Sequence, residues 1–268
     1  MTSCASSSSA PGWHLALEAS GSQASVALAH DARVVGERQA PASSQPSEHL
    51  APATAALLAD AGIDAEQLAA VVVGLGPGSF TGLRVALATA KGLCLGAGVP
   101  LWGVSSLAIA AASAAWRAGG GTGTDTNTDS AARAHTGTGM SPGTGAAGAP
   151  VAGRYLVLDD ARRGAVYLGV YDVDAQGAAH PACDDQVVAL PVLASRLAVH
   201  GSLPFAAQVV GSPAARSLPW PSAVPPLTWA EDLRWARTAL LPSWRPAWHA
   251  EPLAAAAPRY LRRMGVSS

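Results

Sequence analysis

The chain has 268 residues, 49% hydrophobic and 13% charged, with a net charge of −1. That length and apolar content support one large or two modest cores and exclude a disordered solvating chain. A near-zero charge, a single lysine (Lys91) and arginines that form no basic stripe argue against a protein that grips nucleic acid by itself.

Residues 1–12 are small and polar, with neither a basic n-region nor an apolar h-region, and read as a disordered lead-in. Residues 13–117 read as a first α/β subdomain. Short apolar runs with turn signals at Ser20-Gly21-Ser22 and His30-Asp31 predict a three-stranded antiparallel meander over 13–39. Ser47 is the expected cap of a helix whose apolar face is Leu50, Ala53, Thr54, Leu57, Leu58 and Ala61, ended by Gly62. Val71 to Leu75 predicts a buried strand, 79–97 a second helix ended by Gly98, and 105–117 a third.

Residues 118–152 are Gly, Thr, Ala and Ser with almost no large apolar group, so this segment is expected to be a flexible insertion. Its Gly119-Gly-Gly-Thr122-Gly-Thr-Asp125 has the look of a phosphate loop, but no strand precedes it and such matches arise by chance in low-complexity sequence. Residues 153–268 read as a smaller second subdomain. Arg154 to Asp160 and Val166 to Asp172 predict an antiparallel pair turning at Arg162-Arg163-Gly164. A strand near Val187-Val188, a helix near 191–199 and a strand at Gln208 to Val210 follow, then a Trp- and Pro-rich tail with a helix expected at Glu231 to Leu241. Cys4, Cys94 and Cys183 are far apart and fit a reduced compartment better than a disulfide framework. No apolar run approaches the roughly 18 to 20 residues of a membrane span. The expected location is the cytoplasm.

The richest stretch is Gly74-Leu-Gly-Pro-Gly-Ser-Phe-Thr-Gly-Leu-Arg84, which follows Val71-Val72-Val73 and leads into helix formers. Strand, glycine loop, helix is the shape of an anion site, because unpaired N–H groups at a helix start cradle oxyanions; Ser79 or Thr81 could instead cap the helix. It is not a P-loop: Leu83-Arg84 follows Gly82, and Lys91 lies more than two turns on. The Rossmann spacing also fails. Ser79 lacks the Gly-x-Ser-x-Gly elbow, and nothing nearby supplies a base. Lys91 among Ala, Leu and Gly reads as a snorkelling or ion-paired side chain. Arg84 is unfavourably placed for the helix dipole, and a carboxylate partner would explain it.

The wording of Gly74 to Arg84, with Ala88-Thr-Ala-Lys-Gly-Leu93 and Gly103-Val-Ser-Ser-Leu107, resembles the TsaB family, also called YeaZ. Leu15-Ala-Leu-Glu-Ala-Ser20 resembles its first strand and Ser47-Glu-His-Leu50 its first helix start. Asp160-Ala-Arg-Arg163 with Val166-Tyr167 resembles its second-domain strand pair, and Pro258-Arg-Tyr-Leu-Arg262 its C-terminal signature. The resemblance implies an actin-like ATPase (ribonuclease H-like) fold of two α/β subdomains. It also implies a non-catalytic subunit that dimerises with a catalytic TsaD subunit and, with TsaE, supports transfer of threonylcarbamoyl to the adenosine 3′ of the anticodon of ANN-decoding tRNAs. ATP and metal are then expected on the catalytic partner and none on this chain; alone, the chain could form a homodimer.

Actin-like ATPases hold Mg²⁺ and phosphate with a first-strand aspartate and a second acidic, glycine-rich turn. Here Glu18 stands at the first position, and Asp159 or Asp160 near the second without its glycines. A longer carboxylate displaces the metal or its water, so a locally paired or solvated Glu18 competes with a metal role. The catalytic paralogue's His-x-x-x-His pair is reduced to His49, with Ala53 four residues on, and a single imidazole fixes no metal. No catalytic or metal set is therefore expected. The partner face is expected on the first two helices, at Leu50, Ala53, Leu57, Arg84, Ala86, Ala90 and Leu93, whose small residues let helices approach closely; the bland alternative is that these faces cover the sheet. Gly76, Gly78, Ser79 and Thr81 would stand nearest a nucleotide. The competing function is an actin-like ATPase or small-molecule kinase using Gly76 to Thr81 for phosphate.

Overall fold

Among the described residues two six-stranded sheets carry the fold, and their central strands are wired alike. The computed structural model describes residues 12–21, 23–31, 33–40, 45–119 and 149–201, with the short strands 208–211, 228–229 and 249–250. In the first sheet β1 (Trp13–Glu18), β2 (Ser25–His30) and β3 (Arg33–Gln39) form the antiparallel meander. β4 (Leu68–Gly74) joins β1 in parallel, and β5 (Leu101–Val104) joins β4 in parallel. In the second sheet β6 (Gly153–Arg162) and β7 (Ala165–Val173) form a hairpin, to which β8 (Ala179–Pro181) and β9 (Gln186–Ala189) add on the β7 side. β10 (Gln208–Gly211) joins β6 in parallel and β11 (Thr228–Trp229) joins β10 in parallel, while β12 (His249–Ala250) returns to the outer edge of β5.

Strand alternation sorts the side chains into layers. Leu15, Leu17, Val26, Leu28, Val71 and Val73 face α1 (Pro46–Ala61) and α2 (Phe80–Ala97), which pack side by side on one face. The other face presents Ala16, Ala27, Ala29 and Val72 to α3 (Ser106–Ala118), itself alanine-rich and buried from Ser106 to Ala115. Small residues on both surfaces let that helix sit between the two sheets, against Tyr155, Val157, Tyr167 and Tyr171. Leu156, Leu158, Val166 and Leu168 point the opposite way, to Leu193 and Leu197 of α4 (Leu190–Gly201). The result is a helix–sheet–helix–sheet–helix stack, the actin-like, ribonuclease H-like α/β fold expected.

Helix ends follow local chemistry with one correction. Gln45, not Ser47, is the N-cap of α1, because Pro46 occupies the first helical position where its missing N–H costs nothing. Gly62 and Gly98 end α1 and α2 in the left-handed conformation, as their positions in sequence predict. β5 is unforeseen. So is the approach of the insertion's ends: a Cβ on Gly119 would fall 1.7 Å from the Ala149 carbonyl oxygen, and Val151 N–H donates to Ala115 O at 3.0 Å. Residues 120–148, the helix expected at 231–241 and the 258–262 signature lie outside the described residues.

Candidate functional site

β1, β4 and β5 run parallel, so their carboxyl ends meet at one edge of the first sheet, where loops of an open α/β sheet gather binding groups. Glu18 ends β1 there, and its side chain is 1% exposed. Oε1 accepts the Ser20 N–H at 2.7 Å, and Oε2 accepts the Ser106 hydroxyl at 2.9 Å. Ser106 Oγ in turn accepts the Gly76 N–H at 3.1 Å, and Ser106 N–H donates to Gly76 O at 3.0 Å. Glu18 is thus hydrogen-bonded locally. Burial pushes its carboxyl above the ordinary 4.5, partly offset by the hydrogen bonds from Ser20 and Ser106.

The glycines of the loop exist to let it close on this turn. A Cβ on Gly74 would lie 1.7 Å from Glu18 Oε2, one on Gly78 2.5 Å from Ser20 O, and one on Gly82 1.9 Å from Ala19 O. Ser79 N–H donates to Ser20 O at 2.7 Å. Its hydroxyl caps α2, accepting the Gly82 N–H at 3.3 Å, so Ser79 is the capping residue of the two candidates and Thr81 points outward, exposed. Gly76 and Gly78 are thus knitted to residues 18–20 and 106.

Next to Ser106, Ser105 faces the other sheet. Its hydroxyl lies 3.0 Å from Tyr171 OH and donates to Asp185 Oδ2 at 3.0 Å, while Tyr171 OH donates to Asp185 Oδ1 at 2.5 Å. Neither serine stood out in the sequence as a site residue. A hydroxyl pair at the junction of a parallel strand and a helix, on the carboxyl edge, is the signal that could have marked them. On β6, Asp159 is buried and accepts the Asp160 N–H at 2.8 Å. Asp160 Oδ1 accepts the Arg162 N–H at 2.7 Å. Among the described residues no three His, Cys, Asp or Glu side chains gather as a metal set.

The expected partner face needs correction. Leu50, Ala53, Leu57, Ala86 and Ala90 are each no more than 4% exposed and belong to the chain's own core beneath α1 and α2; Leu93 packs partly buried against the same cluster. The sheet takes those faces, and only the opposite ones remain. Of the expected set Arg84 is exposed, and among the described residues it meets no carboxylate: its guanidinium lies 5.2 Å from the Phe80 ring centroid. Thr81, Arg84, Ala88, Gly92 and Leu95 recur at helical spacing along the outer side of α2, with Ala51, Ala55 and Ala59 on α1. Phe80 is 57% and Leu95 78% exposed. His49 is half-buried at the start of α1; its Nε2 has no hydrogen-bond partner among the described residues, and burial, then the Arg38 charge, push its imidazole below the ordinary 6.5. No helix among the described residues is long and apolar enough to cross a membrane.

Comparison with known proteins places this arrangement. Residues 39–122 match the profile of the family described as TsaD, tRNA N6-adenosine threonylcarbamoyltransferase. The chain is 31% identical over 169 residues to the tRNA threonylcarbamoyladenosine biosynthesis protein TsaB of Escherichia coli, covering 62% of this chain and 58% of that protein. It is 44% identical over 84 residues to an uncharacterized protein of Mycobacterium tuberculosis, covering 31% of this chain and 40% of the relative. The matches thus span between two fifths and three fifths of these relatives' length. A Pseudomonas aeruginosa structure described as similar to peptidase YEAZ superposes with a TM-score of 0.66 at 25% identity, covering 94% of this chain and 100% of the other.

Proposed function

We propose that the chain belongs to the TsaB/YeaZ family and acts in tRNA threonylcarbamoyladenosine biosynthesis as the non-catalytic partner of a TsaD-type transferase. The observation that carries this reading is the outer stripe of α2. A helix whose inner face is already committed to the sheet carries Phe80 and Leu95 exposed at either end, with Ala88 and Gly92 between them. Large apolar ends around small central residues suit close packing by another helix. The TsaD-profile match includes α1, α2 and α3, which supports a catalytic subunit with helices of the same kind. Two like helix pairs pack across a near two-fold axis. Alone, the same face would pair two copies of this chain. In this reading nucleotide and metal belong to the catalytic subunit, and a TsaE-type ATPase and tRNA engage the complex.

The test is co-elution with a TsaD-type subunit. Ala88→Glu and Leu95→Glu place a charge on the outer stripe, where the free chain leaves it solvated and a partner would bury it. Each should keep the circular dichroism of the parent and weaken association by roughly 2–5 kcal/mol. Undiminished co-elution of either folded variant would move the interface away from α2.

A further inference from the structure

Two consecutive serines stand at the head of α3, and each gives its hydroxyl to a carboxyl of a different sheet. Ser106 Oγ donates to Glu18 Oε2 of β1 at 2.9 Å, and Ser105 Oγ donates at 3.0 Å to Asp185 Oδ2, in the connection between β8 and β9. The Tyr171 hydroxyl of β7 completes the second contact, 3.0 Å from Ser105 Oγ and donating to Asp185 Oδ1 at 2.5 Å. A glycine makes room on each side. A Cβ on Gly74 would lie 1.7 Å from Glu18 Oε2, and one on Gly169 of β7 would lie 3.0 Å from Asp185 Oδ1 and 2.6 Å from the Tyr171 ring. The two sides differ in their access to water: the Glu18 contact is buried, and the Asp185 contact is only partly so.

The surface of α3 explains why such contacts matter. From Ala110 to Ala115 none of its side chains is larger than serine, and all are buried. Ala16, Ala27, Ala29 and Val72 meet it from the first sheet, and Tyr155, Val157, Tyr167 and Tyr171 from the second. Packed layers hold their position lengthwise when large and small side chains interdigitate, and an alanine surface offers few knobs to catch. Directional hydrogen bonds then set the register that apolar contact leaves loose.

We infer that Ser105 and Ser106 form a clasp that sets the register of α3 between the two sheets, with the Ser105–Asp185 side releasable, so that the second sheet shears along the alanine surface when that side opens. Water replaces the Ser105 hydroxyl on Asp185 more cheaply than it reaches the buried Glu18. Small sliding of packed helices is a known class of such motion.

Ser105→Ala in the full chain cuts the link between the sheets and leaves the Tyr171–Asp185 bond within the second. This variant should melt only roughly 2–4 °C below the parent, and Ser106→Ala, which strips the buried side, roughly twice as far or more. Amide relaxation dispersion reads the shear on the μs–ms timescale. In Ser105→Ala one exchange process with a common rate should appear at Leu107 and Ala111 of α3 and at Val157, Gly169 and Tyr171 of the second sheet, and it should be absent from the parent. Flat profiles in folded Ser105→Ala, or exchange confined to residues 105, 171 and 185, would overturn the inference, as would equal losses from the two serine variants. If Ser105→Ala does not fold, Asp185→Ala cuts the same contact from the other sheet and is read in the same way; if neither folds, the contact carries the fold itself and the inference fails. All of these measurements use the isolated chain, so they stand apart from the docking reading above.

Discussion

The two sheets repeat one wiring, an antiparallel hairpin whose first strand continues into parallel neighbours, and they even share a device at the hairpin strand's end. Glu18 on β1 and Asp160 on β6 each accept the N–H two residues on, from Ser20 and Arg162, both at 2.7 Å. What differs is the second oxygen. Glu18 gives it to the buried, neutral Ser106 hydroxyl, whereas Asp160 lies 3.5 Å from the Nε of Arg162, whose side chain is 79% exposed. The same topology therefore closes one turn into the core and ends the other on an exposed arginine, with the Asp160 side chain itself 9% exposed. At the first turn Gly74 at the end of β4 and Ser106 at the start of α3 close on Glu18, whereas the β6–β7 turn carries Gly164, whose carbonyl accepts the Leu190 N–H of α4.

The sharpest way to break this contrast is to load the closed half. Ala86 is fully buried between α2 and the first sheet, so Ala86→Glu should cost more than about 4 kcal/mol and leave the chain unfolded or molten. Circular dichroism reads this, and a folded Ala86→Glu variant would restore the partner-face assignment withdrawn above. Gly74→Ala comes next. Its methyl group would stand on Glu18 Oε2, and a buried, hydrogen-bonded carboxyl has nowhere to retreat, so a loss of roughly 2–4 kcal/mol is expected in urea unfolding. Combining it with Glu18→Ala should recover part of the loss, since the clash disappears; strict additivity would deny that the two groups touch.

Glu18 also gives the closed half a pH signature. Its folded-state pKa is raised above 4.5, so the native state holds the proton more tightly than the unfolded chain. The stabilisation this provides is complete below about 4.5 and fades as pH rises through the folded value. Glu18→Gln, which cannot ionise, should not share that decline. The melting temperature of Glu18→Gln relative to the parent should therefore climb between pH 4.5 and 8; a flat or falling difference would mean that the carboxyl is not desolvated.

How much of this was legible in the sequence depended on the distance between partners. The turn signals that mark the 13–39 meander and the Gly62 and Gly98 stops are local signals, and each was readable; the cap of α2 was narrowed to Ser79 or Thr81. β5 escaped because four residues behind Pro100 carry no periodicity. The Ser106–Glu18 bond spans 88 positions, and the Ser105 contacts with Tyr171 and Asp185 span 66 and 80, so no local pattern announces them. The misplacement of Ala86 and Ala90 has another cause. Small apolar residues four apart look the same whether a helix turns them to its own sheet or to a partner, and only the three-dimensional packing of α2 on β4 decides.

The smallest effect belongs to the open turn. Arg163 and Gly164 are the central pair of a two-residue hairpin loop closed by Arg162 opposite Ala165, with φ of +54° and +72°. Positive φ at both positions is the requirement of a type I′ turn, and it favours Asn followed by Gly. Arg163→Asn should accordingly stabilise the chain by roughly 0.5–1 kcal/mol, because asparagine enters the left-handed region at less cost. Gly164→Ala should act in the opposite direction by a similar amount, although a Cβ there meets nothing within 4 Å, since only the backbone objects. Urea midpoints measured side by side with Gly74→Ala would set the two halves on one scale. There a glycine is required by a neighbouring side chain, here by its own torsion angle. A destabilised Arg163→Asn would reveal that the Arg163 side chain holds a contact worth more than the strain of its backbone.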